Sequence, residues 1–159
     1  MSTIIRQINS RDKENVFRIF ERIAQFKPSE VKVAEELVDE YLQKGTASGY
    51  QILVAENSGV IVGYICYGPT PLTETTWDIY WEAVAPECQG YGIGSALINE
   101  AESNIKTQGG KRVLIETSSA PDYKNTRRFY LSHGYVQISC IPDFYGDGDH
   151  LVTYYKKFL

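Results

Sequence analysis

Apolar residues near the N-terminus run from Ile4 to Ile8 as a short strand, and then the period changes. Val16, Ile19, Phe20 and Ile23 recur at three- and four-residue intervals, which predicts a helix with one apolar stripe. Ser10 or Asp12 is placed to cap its start, and Pro28 ends it. A second helix is predicted from near Ser29 to Gly45, a residue suited to a C-terminal cap, with Ala34, Leu37, Val38, Tyr41 and Leu42 on one stripe. Its outer face is acidic, with Glu30, Glu35, Glu36, Asp39 and Glu40.

From residue 50 onward the period drops to two. "YQILVAE" and "VIVGYICYG", joined by "NSG", read as a hairpin with β-branched arms. After the loop "GPTPLTET" comes a long aromatic strand, "TWDIYWEAVA", then a glycine-rich turn. A helix from Ile93 to Thr107 follows, with Ile93, Leu97, Ala101 and Ile105 at every fourth position, and then the strand "KRVLIET". Strand, helix and strand in that order make parallel neighbours. Ser119 and Asp122 look like the start of a helix containing "YKNTRRFYLSHGY", closed by Gly134. The tail alternates as two strands, "YVQISC" and "HLVTYYKKF", around the loop "IPDFYGDGD". The pattern predicts one mixed α/β (α+β) domain over residues 1–159, antiparallel in its first half with a parallel pair in the middle.

Composition narrows the partners. A chain of 159 residues, 43% hydrophobic, buries an ordinary core, and a net charge of −4 with no basic stripe argues against nucleic acid. No apolar run approaches the ~20 residues of a membrane helix, and the N-terminus lacks a signal pattern, so a cytoplasmic protein is expected. Cys66, Cys88 and Cys140 are widely spaced without a CxxC, which supports neither a disulfide framework nor a zinc site. His133 and His150 have no paired ligands, so no metal is expected.

The chemistry concentrates in "VAPECQGYGIGSAL". Gly90, Gly92 and Gly94 fall at a helix N-terminus, where backbone N–H groups lack partners and the helix dipole is positive, a setting suited to a pyrophosphate. No Lys-Ser or Lys-Thr follows, as a P-loop would need, and the spacing is G-x-G-x-G rather than the dinucleotide G-x-G-x-x-G. Glu116, at the end of the next strand, imitates a ribose-binding acid and keeps a nucleotide as an alternative.

These residues resemble the coenzyme A signature of the GNAT acyltransferase superfamily, in Val84, Pro86, Gln89, Gly92 and Gly94. A second block, "RRFYLSHGYV", resembles the superfamily's later helix and strand, with Tyr130 four residues before Gly134 and Tyr135. The resemblance implies a central twisted sheet of about six to seven strands with a splayed parallel pair and about four helices. It implies acetyl-CoA as acyl donor, held by Ala83, Val84, Gln89, Gly90, Tyr91, Gly92, Ile93, Gly94 and Ser95. It also implies transfer to a primary amine of a small molecule or peptide by direct attack in a ternary complex, with a backbone N–H at Val84 facing the oxyanion and Tyr130 protonating the leaving thiolate.

An amine of pKa near 10.4 is neutral only about once in 2,500 molecules at pH 7, so a base is valuable, and Asp78 and Glu82 are its candidates. Strict alternation puts both on one face with Tyr80 and Val84, an order that a bulge would shift. Tyr123 stands where many relatives carry Asn, with Asn125 two positions on. Lys124, Arg127 and Arg128 form either a contact to the 3′-phosphate or a solvated helix face. The acceptor is expected among Phe26, Trp77, Phe144, Tyr145, Glu74, Asp143, Asp147 and Asp149, a lining that favours a cationic amine. A non-catalytic acyl-CoA sensor of the same fold is the alternative, and exposed strand edges admit a homodimer.

Overall fold

The computed structural model describes residues 2–159. Seven strands form one sheet in the order β1-β2-β3-β4-β5-β7-β6. They are β1 (Thr3–Gln7), β2 (Gln51–Asn57), β3 (Val60–Pro69), β4 (Thr76–Val84), β5 (Arg112–Ser118), β6 (Val136–Gly146) and β7 (Asp149–Lys157). Four helices cover it: α1 (Lys13–Arg22), α2 (Pro28–Lys44), α3 (Ile93–Thr107) and α4 (Lys124–Ser132). All neighbouring strands pair antiparallel except β4 and β5, which are parallel.

Two apolar layers sandwich the sheet. Ile93, Leu97, Ile98, Ala101 and Ile105 of α3 meet Trp77, Ile79, Val113 and Ile115 on one side. Val16, Ile19 and Phe20 of α1 and Ala34 and Val38 of α2 meet Ile52, Val54, Tyr64 and Ala83 on the other. The hairpin between β2 and β3 turns on Ser58 and Gly59, both at positive φ, the two-residue geometry that suits strand twist.

Local details depart from the expected boundaries. Asn9, rather than Ser10 or Asp12, caps the start of the α1 region through the Arg11 N–H, while Asp12 accepts from the Asn9 N–H and pairs with Arg6. Pro28 opens α2 instead of ending α1, because an N1 proline lacks only an N–H that would be unpaired anyway. Most of "IPDFYGDGD" continues β6 and starts β7, with the pairing interrupted between Ile141 and Gly146 near Asp143, whose φ is +55°.

The feature that shapes the molecule lies in β4. Opposite β3, Cys66 pairs with Trp81 and Tyr67 with Ile79, so Tyr80 is an extra residue, a β-bulge. Pairing of β4 with β5 runs only from Thr76–Arg112 to Ile79–Ile115 and stops at that residue. Beyond it the two parallel strands diverge.

Candidate active site

The divergence opens a cleft of about 1170 Å³, walled by Tyr80–Val84 of β4, Glu116–Ser118 of β5, the glycine turn before α3 and the start of α2 and α4. Gly90 (φ +84°) and Gly92 (φ +82°) are left-handed, and a Cβ on either would meet nothing within 4 Å, so they are needed for backbone conformation. Gly94 is different: its Cβ would come within 3.1 Å of Glu82 Oε1 and 3.4 Å of the Phe129 ring. The first-turn amides of Ile93, Gly94 and Ser95 have no intrahelical acceptor, and all three residues line the cleft.

Most of the expected cofactor residues gather here. Ala83, Val84, Gln89, Gly90, Gly92, Ile93, Gly94 and Ser95 line the cleft, whereas Tyr91 does not and its side chain is 71% exposed. Ala85 donates to Val62 in β3 at 2.8 Å, so strand alternation turns the Val84 N–H and C=O to the open side. Gln89 donates its side-chain amide to that carbonyl at 3.2 Å. His133 Nδ1 donates to the Phe129 carbonyl at 2.8 Å, and Nε2 lies 3.0 Å from the Ser95 hydroxyl.

The two β4 carboxyls do not share a face. The bulge at Tyr80 sends Asp78, Tyr80, Trp81 and Ala83 toward α1 and α2, and Glu82 and Val84 toward α3 and α4, which corrects the strict alternation. Asp78 accepts from the Thr70 hydroxyl at 2.6 Å and lines the cleft. Both Glu82 oxygens are closed to solvent and accept no hydrogen bond, and burial holds this carboxyl's pKa well above the glutamate range. Tyr130 lines the cleft on the same side as Glu82. Its phenol is pushed above the ordinary tyrosine value by burial.

Tyr123, at the place of the family asparagine, donates weakly to Glu30 and to the Gln25 carbonyl, tying α4 to α2 across the cleft, and Asn125 lines the wall nearby. Arg127 donates through one terminal guanidinium nitrogen to the carbonyls of Ser118 and Ala120.

Of the expected acceptor lining, Phe26, Tyr145 and Asp149 reach the cleft. Trp77 is buried in the core, and Glu74, Asp143, Phe144 and Asp147 lie outside the cleft wall. Tyr80, Trp81, Glu30, Glu116 and Asp122 also line the cleft, and none of them was expected from the sequence among the acceptor residues. Glu116, Asp149 and Glu30 all act on the Tyr145 phenol, whose pKa is raised by burial and by these three charges, so they converge on it. Glu30, Asp78, Glu82, Glu116, Asp122 and Asp149 line the cleft against a single cation, Lys27. Among the described residues none of the six carboxyls enters an ion pair. No group of His, Cys, Asp and Glu among them could hold a metal, and no helix is long and apolar enough to cross a membrane.

Comparison with known proteins agrees with this geometry. A family model described as an acetyltransferase (GNAT) domain matches residues 48–137. An uncharacterised N-acetyltransferase of Methanocaldococcus jannaschii is 34% identical over 110 residues, 65% of this chain and 64% of that relative, slightly under two thirds of its length. A crystal structure from Desulfovibrio desulfuricans, described as an acetyltransferase of the GNAT family, superposes with a TM-score of 0.95 at 39% identity, covering 98% of this chain and 99% of that one. The PaiA N-acetyltransferase of Thermoplasma acidophilum, solved in complex with coenzyme A, shares the fold at a TM-score of 0.75 and 18% identity, covering 99% of this chain and 100% of that one.

Proposed function

The chain belongs to the GNAT family, and from that premise we propose that it is an N-acetyltransferase that moves the acetyl group of acetyl-CoA to a primary amine of a cationic small molecule or peptide by direct attack in a ternary complex. The observation that carries this reading is the polarity of the cleft: free helix amides at one end and carboxyls without ion partners at the other. An anionic cofactor suits the first end and a cationic acceptor the second.

On this reading the turn from Gln89 to Ser95 takes the pyrophosphate, with Gly90 and Gly92 setting the loop, and the pantetheine arm runs along Ala83 and Val84 in place of the missing β5 neighbour. Tyr91 contributes its backbone. The amine enters between Phe26, Trp81 and Tyr145, whose rings suit a cation with an apolar body. Asp78, from the acceptor face of β4, takes the amine's proton directly or through water. The nitrogen attacks the thioester carbon, the Val84 N–H faces the developing oxyanion, and the phenol of Tyr130 protonates the departing sulfur.

Calorimetric titration with acetyl-CoA, followed by an amine screen that counts released thiol, tests the proposal. Selective binding and turnover of polyamines, basic peptides or amino sugars is the expected result. Turnover of neutral or acidic acceptors at equal rates would sink the cationic assignment. Binding without turnover would favour a sensor.

A further inference from the structure

The sheet ends in two edge strands of different character. At one edge β1 is short, and its Arg6 is tied to Asp12 and Glu56. At the other, β6 runs for 11 residues, all of them exposed. Val136, Ile138, Ile141, Phe144 and Tyr145 are each 47–56% exposed, and neither apolar layer of the sheet includes a residue of β6. The open surface continues inward, because the layer under α1 and α2 takes no residue from β5 or β7. On that side an apolar row crosses from Leu114 through Tyr155 to Val136, half-buried at the first two and exposed at the edge.

A strand that pairs with one neighbour and has neither face covered gains little from its apolar side chains. Proteins commonly blunt such an edge with charge, yet Val136 to Pro142 carries none. The bulge at Ile138 and the missing N–H of Pro142 do keep another strand from extending the ladder along the whole edge. They leave the side chains uncovered, so a partner on β6 meets side chains rather than backbone.

Charge identifies the partner. The chain carries −4 overall, and its acidic surface offers carboxyls for recruiting a different, basic protein, but this strip has none to offer. In a two-fold contact the strip meets itself, and any charge near the axis would face its own copy. A neutral apolar strip satisfies that condition, and homodimer contacts are the most apolar class of interface. Size agrees: 11 residues at about 3.3 Å span about 36 Å, and a width of about 10–20 Å with the adjoining face gives on the order of 400–700 Å². A standard interface uses about 800 Å² per partner, so the contact falls at the weaker end of that class.

We propose that a second copy of this chain docks here, β6 against β6 about a two-fold axis, with Val136, Ile138 and Ile141 at the centre. Tyr145 belongs to the same strand and lines the cleft, so the contact borders the carboxyl-rich end. Nothing in this depends on the chemistry assigned to the cleft.

Light scattering behind a sizing column, with no substrate present, tests it. Wild type at about 100 µM is expected at twice the mass of one chain. Ile138→Lys should weaken association at least about tenfold, since the axis brings two like charges together where two apolar side chains met. Thermal unfolding of that variant should match wild type, because Ile138 packs in neither layer. Val136→Lys makes the same comparison should Ile138→Lys fail to fold. Hydrogen exchange read by mass spectrometry locates the contact: residues 136–146 should exchange more slowly in concentrated than in dilute wild type, and equally fast at both concentrations in Ile138→Lys. A monomeric wild type at about 100 µM would leave the strip to a different protein and overturn the proposal. A dimer that both lysine variants leave intact, or protection confined to other strands, would place the contact elsewhere and overturn it as well.

Discussion

Gly92→Ala isolates what the glycine turn contributes. Gly92 sits at φ +82° and ψ 7°, and its carbonyl accepts the first intrahelical bond, from the Ala96 N–H at 3.0 Å. A Cβ there meets nothing within 4 Å, so alanine introduces no clash and the effect is purely conformational. Holding an L-residue in the left-handed region costs about 1–2 kcal/mol. That cost has two outlets. If the turn keeps its shape, the fold carries the strain, and Tm falls by roughly 2–8 °C for a chain of this size. If the turn relaxes to negative φ, the amides of Ile93 to Ser95 lose their common aim, and acetyl-CoA binding weakens by about 5- to 30-fold for the same free energy. Thermal unfolding and calorimetric titration on one preparation read both outlets, and their sum should be about 1–2 kcal/mol. A variant with unchanged Tm and unchanged Kd would refute the reasoning, because the left-handed turn would then be neither strained by a side chain nor needed by the cofactor. Gly94→Ala is the contrast: it has no left-handed requirement, and its Cβ instead presses on Glu82 and Phe129.

Three further outcomes follow from particular contacts. Gly68→Ala would put a Cβ 2.0 Å from the Gly49 carbonyl oxygen, a backbone atom that cannot swing aside, so chemical denaturation should show a loss of about 2 kcal/mol or more. Glu116→Gln combined with Asp149→Asn should raise KM several-fold for cationic acceptors and leave neutral ones unchanged, the difference shrinking as salt rises. Glu82→Leu should stabilise the protein increasingly as pH rises, which stability measured from pH 4 to 8 checks. Below the ordinary glutamate value of 4.5 both states carry the proton. Above it the unfolded chain ionises while burial keeps Glu82 neutral, so wild type loses about 1.4 kcal/mol per pH unit until the folded group ionises too. Equal pH slopes in the two proteins would mean that Glu82 titrates normally in the fold.

Much of this architecture was legible because periodicity and punctuation coincide. The stripe from Ile93 to Ile105, bounded by Gly92 and Gly109, could only be a helix, and "NSG" between β-branched runs a hairpin. The glycine-turn end of the cleft was legible for a similar reason, since it is built from contiguous main chain. The carboxyl-rich end was not, because its wall comes from several separate elements and includes Glu30, counted in sequence as an outer-face residue of α2. Trp77 was misplaced because an aromatic residue at a strand start reads alike whether it faces a ligand or, as here, packs near Tyr67 and Ile105. The "IPDFYGDGD" segment hid its strands behind proline and glycine, which an edge strand tolerates at an interruption in pairing.

The bulge at Tyr80 is the one residue on which fold and chemistry both turn. A β-bulge adds local twist and bends its strand, and β4 leaves β5 at this point, so the cleft opens where the extra residue sits. The same extra residue breaks the period of two. Without it Asp78 and Glu82 would share a face, and two carboxyls in one pocket would compete for a single proton. With it, Asp78 stands among hydroxyl groups on the acceptor side, and Glu82 is sealed on the side of Tyr130. A single inserted residue is thus enough to place an accessible carboxyl on one face of the strand and a buried acid on the opposite face.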